Sequence, residues 1–127
     1  MTNNNPYIIE NKDVSIDVSM LYNISGNDES FICTMVQTFL KTMPETIKKL
    51  KESLNNQDWE NVYKSAHFAK SSLSVIKIDE MLDWVVQAEL SAKDESSVYL
   101  LPDLVKKIIE KYSFAEVLLK EKFDQKG

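Results

Sequence analysis

The chain has one histidine, His67, and the residues about one helical turn from it are of the kind that manage charge. Lys64 stands three positions before it, Lys70 three after and Ser71 four after, while Ser74 continues the same polar side. A helix through this stretch therefore gathers two ammonium and two hydroxyl groups around one imidazole. A neutral imidazole nitrogen is a good nucleophile near neutral pH, and a phosphoryl group added to it brings negative charge that such neighbours offset. On spacing alone, a lone histidine among lysines is more often an ordinary solvated helix face than a site. Phe68 and Val75, seven positions apart, fall on the outer side of the same helix. They read equally as a docking patch or, for Phe68, as a ring tucked under a neighbouring short helix.

Little else in the sequence competes for chemistry. Cys33 is the only cysteine, so the chain can form neither an internal disulfide nor a multi-cysteine metal site, which agrees with a reducing compartment. There is no HExxH, no CxxC and no Gly-rich loop, and independent catalysis is not expected. The net charge of −5, without a run of Lys or Arg, argues against nucleic acid and against an anionic membrane surface. No apolar run approaches the roughly 20 residues that span a bilayer, and the polar opening lacks the pattern of a signal peptide. A cytoplasmic location follows as the expectation.

These residues need a rigid helix to hold them, and the rest of the chain supplies helices. With 127 residues, 43% of them hydrophobic, and only 2 Gly and 3 Pro, the composition fits one all-α domain with few breakpoints. The histidine helix begins at Asp58 and carries the apolar line Trp59, Val62, Ala66, Ala69, Leu73 and Ile76, ending at Lys77 or Ile78. On its wheel His67 lies about 130° from the centre of that line, which turns the imidazole to solvent.

Before it, a short helix over Val18 to Ile24 follows Asp17 and stops at Gly26, with Leu21 and Tyr22 inward. A long helix then runs from the Asn27-Asp28-Glu29 cap to about Leu54, through Cys33, Val36, Leu40, Met43, Ile47 and Leu50, with a kink expected near Thr42 because of Pro44. After the histidine helix, Asp79 is the expected cap of a helix bearing Met81, Trp84, Val85, Ala88 and Ala92. Asp94 to Ser97 reads as a loop, and the last helix takes Pro102 in its first turn and buries Leu101, Val105, Ile108, Tyr112, Ala115 and Leu119. The predicted architecture is an antiparallel up-and-down four-helix bundle over residues 17–124 with a short extra N-terminal helix. Residues 1–16 are a loose tail, from which Tyr7, Ile8 and Ile9 could lie against the bundle. No alternation suggests a strand.

The stretch Ala66-His67-Phe68-Ala69-Lys70-Ser71-Ser72-Leu73, continuing through Ile78-Asp79-Glu80-Met81 to Glu89, resembles the signature of the histidine-containing phosphotransfer (HPt) domain family. In that signature AHxxK is followed by small residues, a helix break and a second helix that ends in an acidic or amide residue. Asp28-Glu29-Ser30-Phe31, Phe39-Leu40 and Asp58-Trp59 look like the family too, so the resemblance covers about residues 17 to 122. It implies that His67 is phosphorylated, that Lys70 orients and stabilises the phosphoryl group, and that Glu89 reaches in from the adjacent helix. It further implies a monomeric phosphocarrier without kinase activity that takes a phosphoryl group from one receiver-domain aspartate and passes it to another. Response-regulator receivers and hybrid histidine kinases would be its partners, with Mg²⁺ supplied by the receiver and no cofactor of its own. The alternative is a helical adaptor that binds receivers or kinases on the same surface without being phosphorylated. Ser71 and Lys77 stand where many members have Gly: Ser71 narrows the clearance beside the acceptor, and Lys77 makes the helix break less free.

Overall fold

A computed structural model describes residues 5–123; residues 1–4 of the expected tail and Asp124, the last of the expected bundle, lie outside the described residues. The order of elements is β1 (Ile8–Glu10), β2 (Ser15–Asp17), α1 (Ser19–Ser25), α2 (Glu29–Asn55), α3 (Trp59–Leu73), β3 (Lys77–Ile78), α4 (Met81–Ala92), a 3-10 helix (Glu95–Leu100) and α5 (Leu101–Lys122). The protein is mostly helical. Helix α3 packs against α2 and α4, and α5 against α4 and α2, so each of the four long helices has two long neighbours.

Side-chain capping sets where α2 and α3 begin. Asp28 Oδ1 accepts from the backbone N–H groups of Ser30 and Phe31 at 3.0 and 3.2 Å, and Asp58 Oδ1 accepts from that of Asn61 at 3.2 Å, satisfying donors that a first turn leaves without partners. Gly26, at φ +64°, closes α1 in the left-handed conformation that glycine adopts at no steric cost. Helix α2 continues through Pro44 without interruption. Its buried line is Ile32, Val36, Phe39, Met43, Thr46 and Leu50, rotated from the expected one, whose Cys33, Leu40, Ile47 and Leu54 are half-buried on the flank. The rotation brings Phe39 onto Tyr112 of α5, ring centroids 6.1 Å apart.

Among the described residues, Ile8–Glu10 and Ser15–Asp17 form strands where a loose tail and no strand were expected. β1 and β2 form a hairpin in the register Ile8↔Asp17, Ile9↔Ile16 and Glu10↔Ser15, and β2 also pairs with β3 through Ile16↔Ile78 and Asp17↔Lys77. In this three-stranded sheet Ile9, Ile16 and Ile78 stand side by side and are all buried. Asn11 makes the turn: its Oδ1 accepts from the backbone of Asp13 at 2.8 Å and of Val14 at 3.0 Å.

The same pairing corrects two helix boundaries. α3 stops at Leu73 rather than at Lys77 or Ile78, because those two residues are taken into β3. Asp79 does not cap α4. Its Oδ1 accepts from Ser15 N–H at 3.2 Å and its own N–H donates to Ser15 O at 3.0 Å, leaving Glu80 at the cap position, at φ +63° and with no side-chain cap bond.

Candidate functional site

On α3, Ala66 and Ala69 face the core, and His67 between them projects outward with its side chain 56% exposed. Helix α4 buries Met81, Val85, Ala88 and Ala92, and Glu89 borders that line on the side facing α3. Its carboxylate is only 9% exposed and both oxygens are taken: Oε2 lies 2.6 Å from His67 Nδ1, and Oε1 accepts from Lys70 Nζ at 2.8 Å. The hydrogen bond from Lys70, aided by the one with His67 and by the Lys70 charge, holds Glu89 below the usual carboxylate range although burial pulls the other way. Glu89 is therefore an anion at neutral pH.

That anion settles the tautomer of the ring. An ionised carboxylate only accepts, so Nδ1 must carry the proton and donate it, and in the neutral imidazole the lone pair is then on Nε2. With Nδ1 turned to a buried partner, the exposed edge of the ring is the Nε2 edge. The arrangement presents a nucleophilic nitrogen to the outside while fixing the ring from behind.

A second pair, absent from the sequence reading, adjoins this one. The Tyr63 ring stacks beside His67, with centroids 5.8 Å apart and planes at 25°, and Lys93 places its ammonium 4.3 Å from the Tyr63 centroid. Tyr63 is one turn before His67 on α3, and Lys93, at the C-terminal cap of α4, is one turn after Glu89. Stepping back along one helix thus means stepping forward along the other, and the two helices are antiparallel across this seam. The i−4 spacing of Tyr63 was a usable signal; the position of Lys93 could be read only with the α3–α4 register in hand.

Residues 34–115, which include His67, Lys70 and Glu89, match the family model of the Hpt domain. The chain belongs to the Hpt domain family. Its function is accordingly histidine phosphotransfer within a phosphorelay, in which Hpt domains work with receiver domains and kinases as phosphocarriers, and the reading as an adaptor without phosphorylation is not favoured. The crystal structure of histidine-containing phosphotransfer protein B from Pseudomonas aeruginosa PAO1 is similar to this chain with a TM-score of 0.76, over 93% of this chain and 95% of that one. At 18% sequence identity this is a likeness of fold. No curated protein matches the chain.

Within this Hpt domain the other residues singled out by spacing fall into different surroundings. Lys64 is turned to Glu60 at 3.3 Å on an exposed face, and Ser74 spends its hydroxyl on the Ser71 carbonyl at 2.6 Å. None of Lys64, Ser71 and Ser74 hydrogen-bonds to the imidazole among the described residues. Phe68 is 53% exposed, which overturns the expectation of a ring tucked under the short helix. It lines an open groove of about 340 Å³ between α2 and α3 with Thr42, Lys49 and Lys64. Val75 is half-buried and, with Ser71 and Met35, lines a neighbouring groove of about 240 Å³. Among the described residues no helix is long and apolar enough to cross a membrane.

Proposed function

We propose that His67 accepts the phosphoryl group at Nε2 from the aspartyl phosphate of a receiver and returns it to the aspartate of another, with Glu89 and Lys70 as its supporting groups. The observation that carries this reading is the 2.6 Å contact between His67 Nδ1 and the buried Glu89 carboxylate. In the forward step the Nε2 lone pair forms the N–P bond, the aspartate oxygen leaves with the electrons of the O–P bond, and the Nδ1 proton stays where it is. The imidazole therefore gains positive charge as it attacks, and the Glu89 anion on Nδ1–H offsets that charge in place, without waiting for solvent to reorganise. Lys70, 2.8 Å from the other oxygen, holds the carboxylate in position and adds a cation beside the incoming phosphoryl oxygens.

Within the domain proposed over residues 17–124, the ring of contacts among α2, α3, α4 and α5, and the antiparallel α3–α4 seam, support an up-and-down antiparallel four-helix bundle of these helices, to which α1 and the sheet are appended. In this reading the chain is a monomeric cytoplasmic phosphocarrier with no kinase activity of its own. The receiver brings Mg²⁺ along with the aspartate, and the absence of a basic cluster leaves no case for nucleic acid or an anionic membrane as partner. Receivers and hybrid kinases dock over His67, against Phe68 and Val75, while Lys64, Ser71 and Ser74 border the phosphoryl group. The test is single-turnover transfer from a phosphorylated receiver. Acid-labile label should appear on the wild type and be absent from His67→Gln with its melting temperature kept; label surviving on His67→Gln would remove His67 from the role.

A further inference from the structure

Phosphorylation adds about 1.5 to 2 negative charges beside the imidazole, and the cations around His67 are not equally free to meet them. On α3, Lys70 is committed to Glu89 at 2.8 Å and Lys64 faces Glu60 at 3.3 Å; on α2, Lys49 lies across the Phe68 groove together with Glu45. From α4 comes Glu89, and from the cap that closes α4 comes Lys93. Its side chain is exposed, and it forms no ion pair with a carboxylate among the described residues; its contact is the face of Tyr63, the ring on which His67 stacks.

The separations limit how far that ammonium can be from the reacting ring. With Nζ 4.3 Å from the Tyr63 centroid, and that centroid 5.8 Å from the imidazole centroid, Lys93 Nζ lies no more than about 10 Å from the imidazole even before the side chain moves. A phosphoryl group standing out from Nε2 shortens the gap, and a flexible lysine stem closes what is left. An exposed cation–π contact is a weak hold. A charge-assisted bond to a dianionic oxygen is stronger, so the exchange of one for the other is favourable once the phosphoryl group arrives.

We propose that Lys93 is a phosphoryl-binding residue held in reserve on Tyr63, which in turn is a positioning residue: Tyr63 keeps the ammonium beside the acceptor while His67 is bare, and Lys93 moves onto the phosphoryl oxygens when His67 is phosphorylated. The proposal rests on His67 being the acceptor. It separates two cationic duties, with Lys70 fixed on the Glu89 carboxylate beside the phosphoryl group in both states and Lys93 moving onto the phosphoryl oxygens in one of them. It also accounts for a tyrosine stacked on the acceptor ring at a position where an aliphatic residue would fill the same half-buried space.

The experiment labels the full chain with phosphoramidate, which needs no receiver, and follows the phosphorus resonance of phosphohistidine as a function of pH. A cation bound to the phosphoryl oxygens favours their dianionic form and lowers the titration midpoint, so Lys93→Gln should raise it by roughly half a pH unit. Lys93→Arg should restore the wild-type midpoint, Tyr63→Phe should keep it because the ring face is retained, and Lys106→Gln, exposed on α5, serves as a remote control that leaves it unchanged. Equal midpoints for the wild type and Lys93→Gln would overturn the proposal, as would a raised midpoint that Lys93→Arg fails to restore. Failure of the wild type to take label at all would instead overturn the assignment of His67, so the two outcomes are told apart in one experiment.

Discussion

The Glu89 carboxylate sits 2.6 Å from His67 Nδ1, and it is the one charged side chain that the described residues bury. Burying an anion is costly unless its oxygens are satisfied, and here one oxygen meets the imidazole and the other Lys70. A structural role alone would be met more cheaply by an apolar residue of similar size, as at Val85 and Ala88 on the same helix. The charge is explained if it acts on the ring.

Glu89→Gln tests this directly, because it keeps the shape and an acceptor oxygen but removes the charge. Phosphoryl acceptance by His67 is expected to slow by roughly 10- to 100-fold, the usual consequence of weakening an outer group that orients and charges a reacting side chain. Rapid-quench measurement of label transfer from a phosphorylated receiver checks it. A rate equal to that of the wild type would reduce Glu89 to a prop for the ring.

The same carboxylate makes stability depend on acid. Its pKa in the folded chain lies below the ordinary value of 4.5, so its contribution is fully present above that value and is lost as the pH falls through the lowered one. Denaturant melts between pH 6 and pH 3 should therefore show a steeper loss for the wild type than for Glu89→Gln, which has no proton to take up. Since the Lys70 hydrogen bond is the largest cause of the lowering, Lys70→Ala should move the loss toward higher pH as well as slowing phosphoryl transfer. Parallel acid profiles for all three chains would contradict this account.

A helical period of 3.6 residues was enough to place α3, α5 and the exposed face of His67, because each is a long element with several apolar residues on one side. Glu89 was carried by resemblance to the family, and nothing in its own spacing says that it turns toward α3. The sheet was not legible. Its strands are two or three residues long, too short for alternation to register, and Ile9, Ile16 and Ile78 become a row only when chain segments more than sixty residues apart are set side by side. Asp79 carried a misleading signal, since an aspartate just before a helix is the ordinary cap and only the hairpin's Ser15 diverts it. Tyr63 and Lys93 needed the α3–α4 register.

Ile16 offers a test of the hairpin, being fully buried between Ile9 and Ile78 where a loose tail would leave it in water. Ile16→Ala should cost about 2–5 kcal/mol of stability, as expected for an isoleucine truncated in a packed interior. Equilibrium urea unfolding measures it, and a change within about 0.5 kcal/mol, typical of a surface position, would return residues 8–16 to the status of an appendage.

Phe68 presents the opposite case, an aromatic ring 53% exposed one residue from the acceptor and at the rim of the groove between α2 and α3. If a receiver docks over His67 as proposed, bringing its aspartate to Nε2 lays its own surface over this ring, which then loses water on binding rather than on folding. Binding energy at such interfaces concentrates in a few desolvated anchors, so Phe68→Ala should weaken receiver affinity by about 1–3 kcal/mol. Truncating a ring that is already half in water should change folding stability by only about 0.5 kcal/mol. Labelling by phosphoramidate should be unaffected, because the small donor needs His67, Glu89 and Lys70 but no docking surface. Calorimetric titration with the receiver, run beside thermal melts of both chains, decides the matter: a large drop in Tm with unaltered affinity would assign Phe68 to the fold and leave the docking surface without its anchor.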